Sequence, residues 1–178
     1  MTPTDDSGDG PGDPPASADD PTGVFVVETD AQRRDAFSVR RTVFVDEQGV
    51  DEAIEYDEYD DPGAEATHFV AYDDGEPVGA ARLRPAASDA HGDGGESDTA
   101  KAERVAVAAE RRDEGWGRRI MRAVEDHART EGFDRLALHA QTRVRAFYDK
   151  LGYEAHGAEF EEAGIPHIAM ETALPDDT

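Results

Sequence analysis

The segment from Val105 to Thr130 constrains the fold of this chain more than any other. Val105-Ala106-Val107-Ala108 is an apolar run that reads as the end of a strand. Arg112-Asp113-Glu114-Gly115-Trp116-Gly117 reads as a glycine-bearing turn. From Arg118 the pattern turns helical, with Ile120, Met121, Val124, His127 and Ala128 forming one stripe and Gly132 ending it. The first N–H groups of a helix have no partner in the helix. They lie at the positive end of its dipole. Glycine lets an anion approach that backbone closely. The spacing therefore predicts an anion site suited to a pyrophosphate, although a glycine-rich helix start by itself has the same look. Neither a third glycine at the dinucleotide-fold spacing nor a Gly-Lys-Ser/Thr run is present, so those two phosphate-binding designs are excluded.

The rest of the chain supplies strands on both sides of this unit. Val24–Val27, His68–Tyr72, Pro77–Leu83, Lys101–Ala108, Leu136–Ala140, Tyr153–Ala155 and Ile165–Thr172 read as strands, with Asp73–Glu76 as a hairpin turn. Asp30 is placed to cap a helix reaching about Val45, and Thr142–Leu151 reads as a short helix closed by Gly152. The acidic segment Asp46–Asp61 reads as loops with a short helix, and residues 86–100 as a surface loop. Residues 1–23 hold almost no large apolar side chain and read as a disordered acidic tail. Residues 24–178 then form one domain, an α+β or mixed-sheet α/β fold.

Charge narrows the partners. With 42 Asp plus Glu against 18 Lys plus Arg, the chain is ill suited to nucleic acid or to an anionic membrane. Only Lys101 and Lys150 are lysine, a balance typical of proteins that work in concentrated salt, where screening suppresses self-repulsion. The absence of cysteine removes thiolate catalysis and disulfides. No run of about 18 apolar residues or signal-peptide core is evident, and a cytoplasmic location is expected. The six histidines show no metal-type pairing, so no catalytic metal is expected.

A second motif, Phe147-Tyr148-Asp149-Lys150-Leu151-Gly152-Tyr153, follows the glycine turn by about thirty residues. Alone it would pass as core packing with a glycine cap. Together, Arg112-x-x-Gly115-x-Gly117, a strand and this motif resemble the GNAT family of acetyl-CoA-dependent N-acetyltransferases. Arg40-x-x-Val43-Phe44-Val45-x-Glu47-Gln48, Ala140-Gln141, Phe160 and Gly164-Ile165-x-His167-x-x-Met170 further resemble its ElaA-like subgroup. The resemblance covers about residues 24–173. It implies a mixed, mostly antiparallel twisted sheet of six to seven strands with about four helices, and acetyl-CoA as cosubstrate.

The resemblance also implies roles. The strand holding Val105, Ala106 and Val107 would splay from its neighbour, its N–H groups binding the thioester carbonyl and pantetheine arm as an oxyanion hole. Backbone around Arg112, Asp113, Glu114, Gly115, Trp116, Gly117 and Arg118 would hold the pyrophosphate. Gln141 would contact the pantetheine arm, Phe147 would lie beside the cofactor, and Tyr148 would protonate the leaving thiolate. Asp113 and Glu114 depart from the family, which has a neutral or basic turn there. Arg40 and Gln48 would lie near the acceptor pocket, and Arg82 and His167 are further polar candidates to bind the acceptor. Arg82 and Arg84 face one way on one strand and could bind an acidic acceptor, or equally pair with the acidic segment 46–61. Glu103 is the first candidate for a general base, ahead of Glu47 and His68, each competing with a purely structural role. Two function classes remain open: direct acetyl transfer to a primary amine, or a non-catalytic acyl-CoA sensor or partner-binding module. An exposed last strand would allow a homodimer.

Overall fold

The computed structural model describes residues 20–86 and 98–175. Most of the expected tail and of the loop at 86–100 lies outside those residues. The Pro21 carbonyl accepts from Gly75 N–H at 2.9 Å, and Thr22 Oγ1 accepts from Asp74 N–H at 2.9 Å.

Seven strands form one sheet: β1 (Gly23–Val26), β2 (Thr67–Asp73), β3 (Glu76–Pro85), β4 (Thr99–Val107), β5 (Arg135–Gln141), β6 (Glu154–Glu162) and β7 (Ile165–Ala173). Their order is β1-β2-β3-β4-β5-β7-β6, and β4–β5 is the one parallel pair among them. The last strand is therefore internal, between β5 and β6, and β6 forms the open edge at that end. β6 also runs well past the expected Tyr153–Ala155. Its residues are mostly exposed, so it carries no apolar alternation to mark it.

The helices are α1 (Asp30–Arg40), α2 (Glu52–Glu55), α3 (Trp116–Thr130) and α4 (Arg145–Lys150). Side chains alternate across a strand, so Phe69 and Ala71 of β2 face one way and Val70 and Tyr72 the other. On the first face Ile120, Met121, Val124 and Ala128 of α3 close a fully buried core with Val78, Leu136 and Met170. On the second, Ala36, Val39 and Val43 pack over Val70, Tyr72 and Ala106. Gly79 permits the first contact: a Cβ there would lie 3.1 Å from the Ala106 carbonyl oxygen and against Ile120.

Thr29, one residue before the expected Asp30, caps α1. Its hydroxyl accepts from Gln32 N–H at 3.1 Å and Gln32 Oε1 accepts from Thr29 N–H at 3.1 Å, a reciprocal capping box. The helix does not continue as α to Val45. Residues Arg41–Glu47 form a π-helical turn, with Gln48 N–H donating to the Val43 carbonyl at 3.1 Å. Such wide turns recur at functional sites. Here it carries Phe44 and Gln48 to the rim of a cavity.

Candidate active site between β4 and β5

β4 and β5 pair only from Thr99–Arg135 to Ala102–Leu138. Beyond Ala102 the two strands separate. Against β3, the register steps from Ala80–Ala106 to Arg82–Glu103, so β4 carries one extra residue. Arg104 absorbs it with φ +56°, a left-handed conformation that costs a side-chain-bearing residue energy. Its guanidinium anchors the bulge, donating to the Glu55 carbonyl at 3.1 Å and pairing with Glu55 Oε2 at 3.1 Å.

The gap opens a cavity of about 770 Å³. Val105, Ala106 and Val107 form its β4 wall, and Ala140 and Gln141 the β5 wall. Arg112, Asp113, Gly115, Trp116, Gly117 and Arg118 border one end, with Phe147 and Tyr148 beside them. Gly115 has φ +88° at the start of α3, and no side chain caps the helix. The first-turn N–H groups of a 15-residue helix are thus left open toward a ligand. Gly117 fits against Phe147, whose ring would be 3.0 Å from an added Cβ.

Tyr148 is buried, and burial pushes its phenol well above its usual range, so it stays protonated. It lies edge-on between Phe147 and Tyr153, with ring centroids at 5.0 and 5.7 Å. Gln141 joins the two sides of the opening. Its Nε2 donates to Gln48 Oε1 at 2.8 Å, and its Oε1 accepts from Arg143 Nε at 2.9 Å.

Several expected residues take other places. Arg40, expected near the acceptor pocket, is fully buried and does not border the cavity. It donates to Asp60 at 2.7 and 2.9 Å and to Glu55 at 2.9 Å. Arg82 is likewise buried and away from the cavity, clamped by Asp57 at 2.7 Å, Asp60 at 3.0 Å and Glu103. All its donors are taken, so it pairs with the acidic segment rather than with an acceptor. Glu103 borders the cavity, but its carboxylate also pairs with Arg84 at 2.8 Å and Lys101 at 3.3 Å. Burial raises its pKa, and the hydrogen bond from Arg84 and the charge of Arg82 outweigh that, leaving it at about 2. So weak a base fits a structural clamp better than proton abstraction. His68 is buried beneath Phe37 outside the cavity lining, and burial holds its pKa down to about 4. Glu47 is bound by Arg112 at 2.5 and 2.8 Å, and Glu114 by Arg111 at 3.1 Å outside the lining.

Gln48 and His167 do border the cavity, together with polar residues not anticipated there, among them Glu55, Arg104, His139, Arg143 and Glu162. His139 alternates along β5 with the buried Leu138 and Ala140, a signal visible in sequence. Glu162 lies on exposed β6, where nothing in the residue pattern marks it.

The profile of the family described as "Acetyltransferase (GNAT) domain" matches residues 25–174, nearly the whole described fold. This chain belongs to the GNAT acetyltransferase family. Two relatives from Bacillus subtilis (strain 168) agree. The uncharacterised N-acetyltransferase YjcF is 40% identical over 148 residues, covering 83% of this chain and 96% of YjcF. The protein YyaT is 36% identical over 144 residues, covering 81% of this chain and 90% of YyaT. Among solved structures, an acyl-CoA N-acyltransferase from Pseudomonas aeruginosa superposes with TM-score 0.69 at 25% identity, over 83% of this chain and 97% of that one. Escherichia coli ElaA has the same fold, at TM-score 0.69 and 24% identity over 83% and 97% of the two chains. The protein is thus a GNAT acetyltransferase, and acyl-CoA is the cosubstrate of its reaction. Among the described residues no helix is long and apolar enough to cross a membrane.

Proposed function

We propose that this GNAT protein transfers the acetyl group of acetyl-CoA directly to a primary amine in the cavity between β4 and β5. The observation that carries this reading is the separation of the two strands beyond Ala102, opening onto the uncapped start of α3. The residues present fit a pyrophosphate-bearing thioester. Open N–H groups at Trp116, Gly117 and Arg118 suit the pyrophosphate, and the flat apolar seam of Val105 and Val107 suits the pantetheine arm. The cosubstrate supplies an activated acyl carbon when bound.

The chain's own groups do the rest. The β4 backbone beyond the bulge, unpaired with β5, offers N–H donors where negative charge would develop on an acyl oxygen. Tyr148 keeps its proton at neutral pH, and its hydroxyl enters no hydrogen bond among the described residues. It is suited to give that proton to a departing thiolate. Gln48 and Gln141 close the space above the acceptor side, and Arg112 acts through its strut to Glu47. No protein thiol takes part, because the chain has no cysteine.

The acid excess and scarcity of lysine support a high-salt cytosol as the working medium. Residues 24–178 serve as the catalytic domain and the acidic N-terminal segment as an appendage. The exposed edge strand β6 is the place where a second subunit would add to the sheet. The reading is tested by titrating the isotope-labelled protein with acetyl-CoA. Amide shifts centred on Val105, Val107 and Gly115–Arg118 are expected; shifts confined elsewhere would refute the placement.

A further inference from the structure

His139, Gln141, Phe160, Glu162 and His167 share one face of the sheet beside the cavity. Register pairs His167 with Gln141 of β5 and with Phe160 of β6, and His139 and Glu162 each lie two residues along those strands. The neighbours Leu138, Ala140, Ile168 and Met170 face the opposite core.

His167 is the buried member, 7% exposed. Its Nδ1 is 2.6 Å from the carbonyl oxygen of Ile165. A carbonyl can only accept, so Nδ1 carries the proton, and in the neutral ring Nε2 holds a lone pair. That Nε2 is 3.7 Å from Glu162 Oε2, and both residues border the cavity. Two acceptors facing each other at that distance repel unless a donor lies between them. The other carboxylate oxygen, Oε1, is 3.2 Å from His139 Nδ1, which fixes the direction of the carboxylate. The Phe160 ring lies nearly parallel to His167, with centroids 6.1 Å apart and planes at 23°, and holds the imidazole in place.

We propose that His167 is the general base of the reaction and that Glu162 and His167 together seat the acceptor's ammonium group. The role presupposes acetyl transfer at this cavity. An ammonium between the two acceptors donates one hydrogen bond to Glu162 Oε2 and one to His167 Nε2. The N–H bond to Nε2 breaks, its electron pair stays on the amine nitrogen, and the proton becomes the second N–H of the imidazolium. The freed pair is then available for attack. Glu162 stabilises the cation so formed, and its half-exposed side chain and that of His139 give the proton a route to solvent. Glu162 on β6, His139 on β5 and Lys101 on β4 lie about this site, with Glu103 paired to Lys101 and with Arg104 and Arg143 also on the cavity wall. The hydrogen bond from His139, and the charges of His139, His167 and Lys101, outweigh burial and hold the Glu162 carboxyl below its usual range. The Glu162 carboxylate would repel a second carboxylate, so the acceptor class that follows from the proposal is a cationic primary amine without a carboxylate next to the reacting nitrogen.

The test combines kinetics with a readout independent of turnover. His167→Gln should lower kcat/KM for a strongly basic amine by about a hundredfold or more, the usual scale for losing a general base. With trifluoroethylamine, which is largely neutral at pH 7, the loss should shrink to a few-fold. Acetyl-CoA affinity should be unchanged. Glu162→Gln should raise KM for basic amines more than it lowers kcat. Nitrogen-15 NMR of the neutral wild-type protein should show His167 as the Nδ1–H tautomer. An Nε2–H tautomer, or equal losses with both amines, would overturn the proposal while leaving acetyl transfer intact. Absence of turnover by the wild-type protein on every amine would overturn acetyl transfer itself, and the base with it.

Discussion

Arg112 and Glu47 form a two-pronged ion pair, Nη1–Oε1 at 2.5 Å and Nη2–Oε2 at 2.8 Å, that ties the turn before α3 to the end of the π-helical segment. Arg112 Nε also donates to the Val107 carbonyl at 3.1 Å. Each of the three guanidinium nitrogens makes one bond that positions β4 and the turn. Arg112 therefore supports the anion site as a strut. Glu47→Gln and Arg112→Gln should each weaken acetyl-CoA binding, and the double variant should be no worse than the worse single one. Binding calorimetry of the four proteins completes the cycle. Additive losses would mean that Arg112 touches the cosubstrate itself.

Asp113 has φ +66° and a carboxylate bordering the cavity beside the open N–H groups of α3. Glycine adopts that conformation without cost and carries no charge. Asp113→Gly should tighten acetyl-CoA binding several-fold in dilute buffer. The gain should fade near 1 M salt, where the screening length is only about 3 Å. Affinity titrations at the two salt concentrations check this, and an equal gain at both would assign the effect to backbone strain alone.

His68 shapes stability in mild acid. Burial lowers its pKa from 6.5 to about 4, so the folded state resists a proton that the unfolded chain accepts. Its contribution is fully present above pH 6.5 and is lost as pH falls toward 4. The loss is on the order of 3 kcal/mol if the whole shift applies. Urea unfolding in high salt at pH 7 and pH 4.5 should show it, and His68→Gln should flatten the pH dependence over that interval. Glu103, held at about 2, acts only at lower pH.

Much of the fold was legible because periodicity reports burial. The stripe Ile120–Ala128 and the alternation in β2 and β5 face cores, and their elements appear where expected. β6 was shortened because an exposed edge strand has no apolar face to read. The switch of α1 into a π-helical turn was invisible, since Arg41–Glu47 carries no proline or glycine to flag it. Within the site, the strand-turn-helix spacing marked the turn glycines and the family resemblance pointed to Gln141 and Tyr148, and all of them border the cavity. Arg40 was placed near the acceptor pocket and Arg82 was left open between the acceptor and the acidic segment, because a buried arginine and a binding arginine have the same letter. Only the tertiary meeting with Asp57, Asp60 and Glu55 distinguishes them. The Glu162–His167 pairing required knowing that β6 folds back on β7.

That cluster around Arg40 makes its own prediction. Arg40 is fully buried against Asp60 and Glu55. Arg40→Met would remove the buried partner that Asp60 and Glu55 share, leaving Asp60 only Arg82 and Glu55 only Arg104 as arginine partners, at a cost of up to about 3–5 kcal/mol. Denaturant unfolding in high salt measures it, and a change below about 1 kcal/mol, the range of an exposed pair, would contradict the buried arrangement.

Amine-dependent release of CoA tests the central claim most directly. A thiol-reactive dye reads the released CoA without background, because the chain contains no cysteine. In high salt, the wild-type protein should release CoA only when a primary amine is present, with the acetylated amine recovered in equal amount. Tyr148→Phe should lower kcat by about 10²-fold or more while binding acetyl-CoA normally, as expected for loss of a general acid. Acetyl-CoA binding with no release on any amine, or full activity in Tyr148→Phe, would contradict the account.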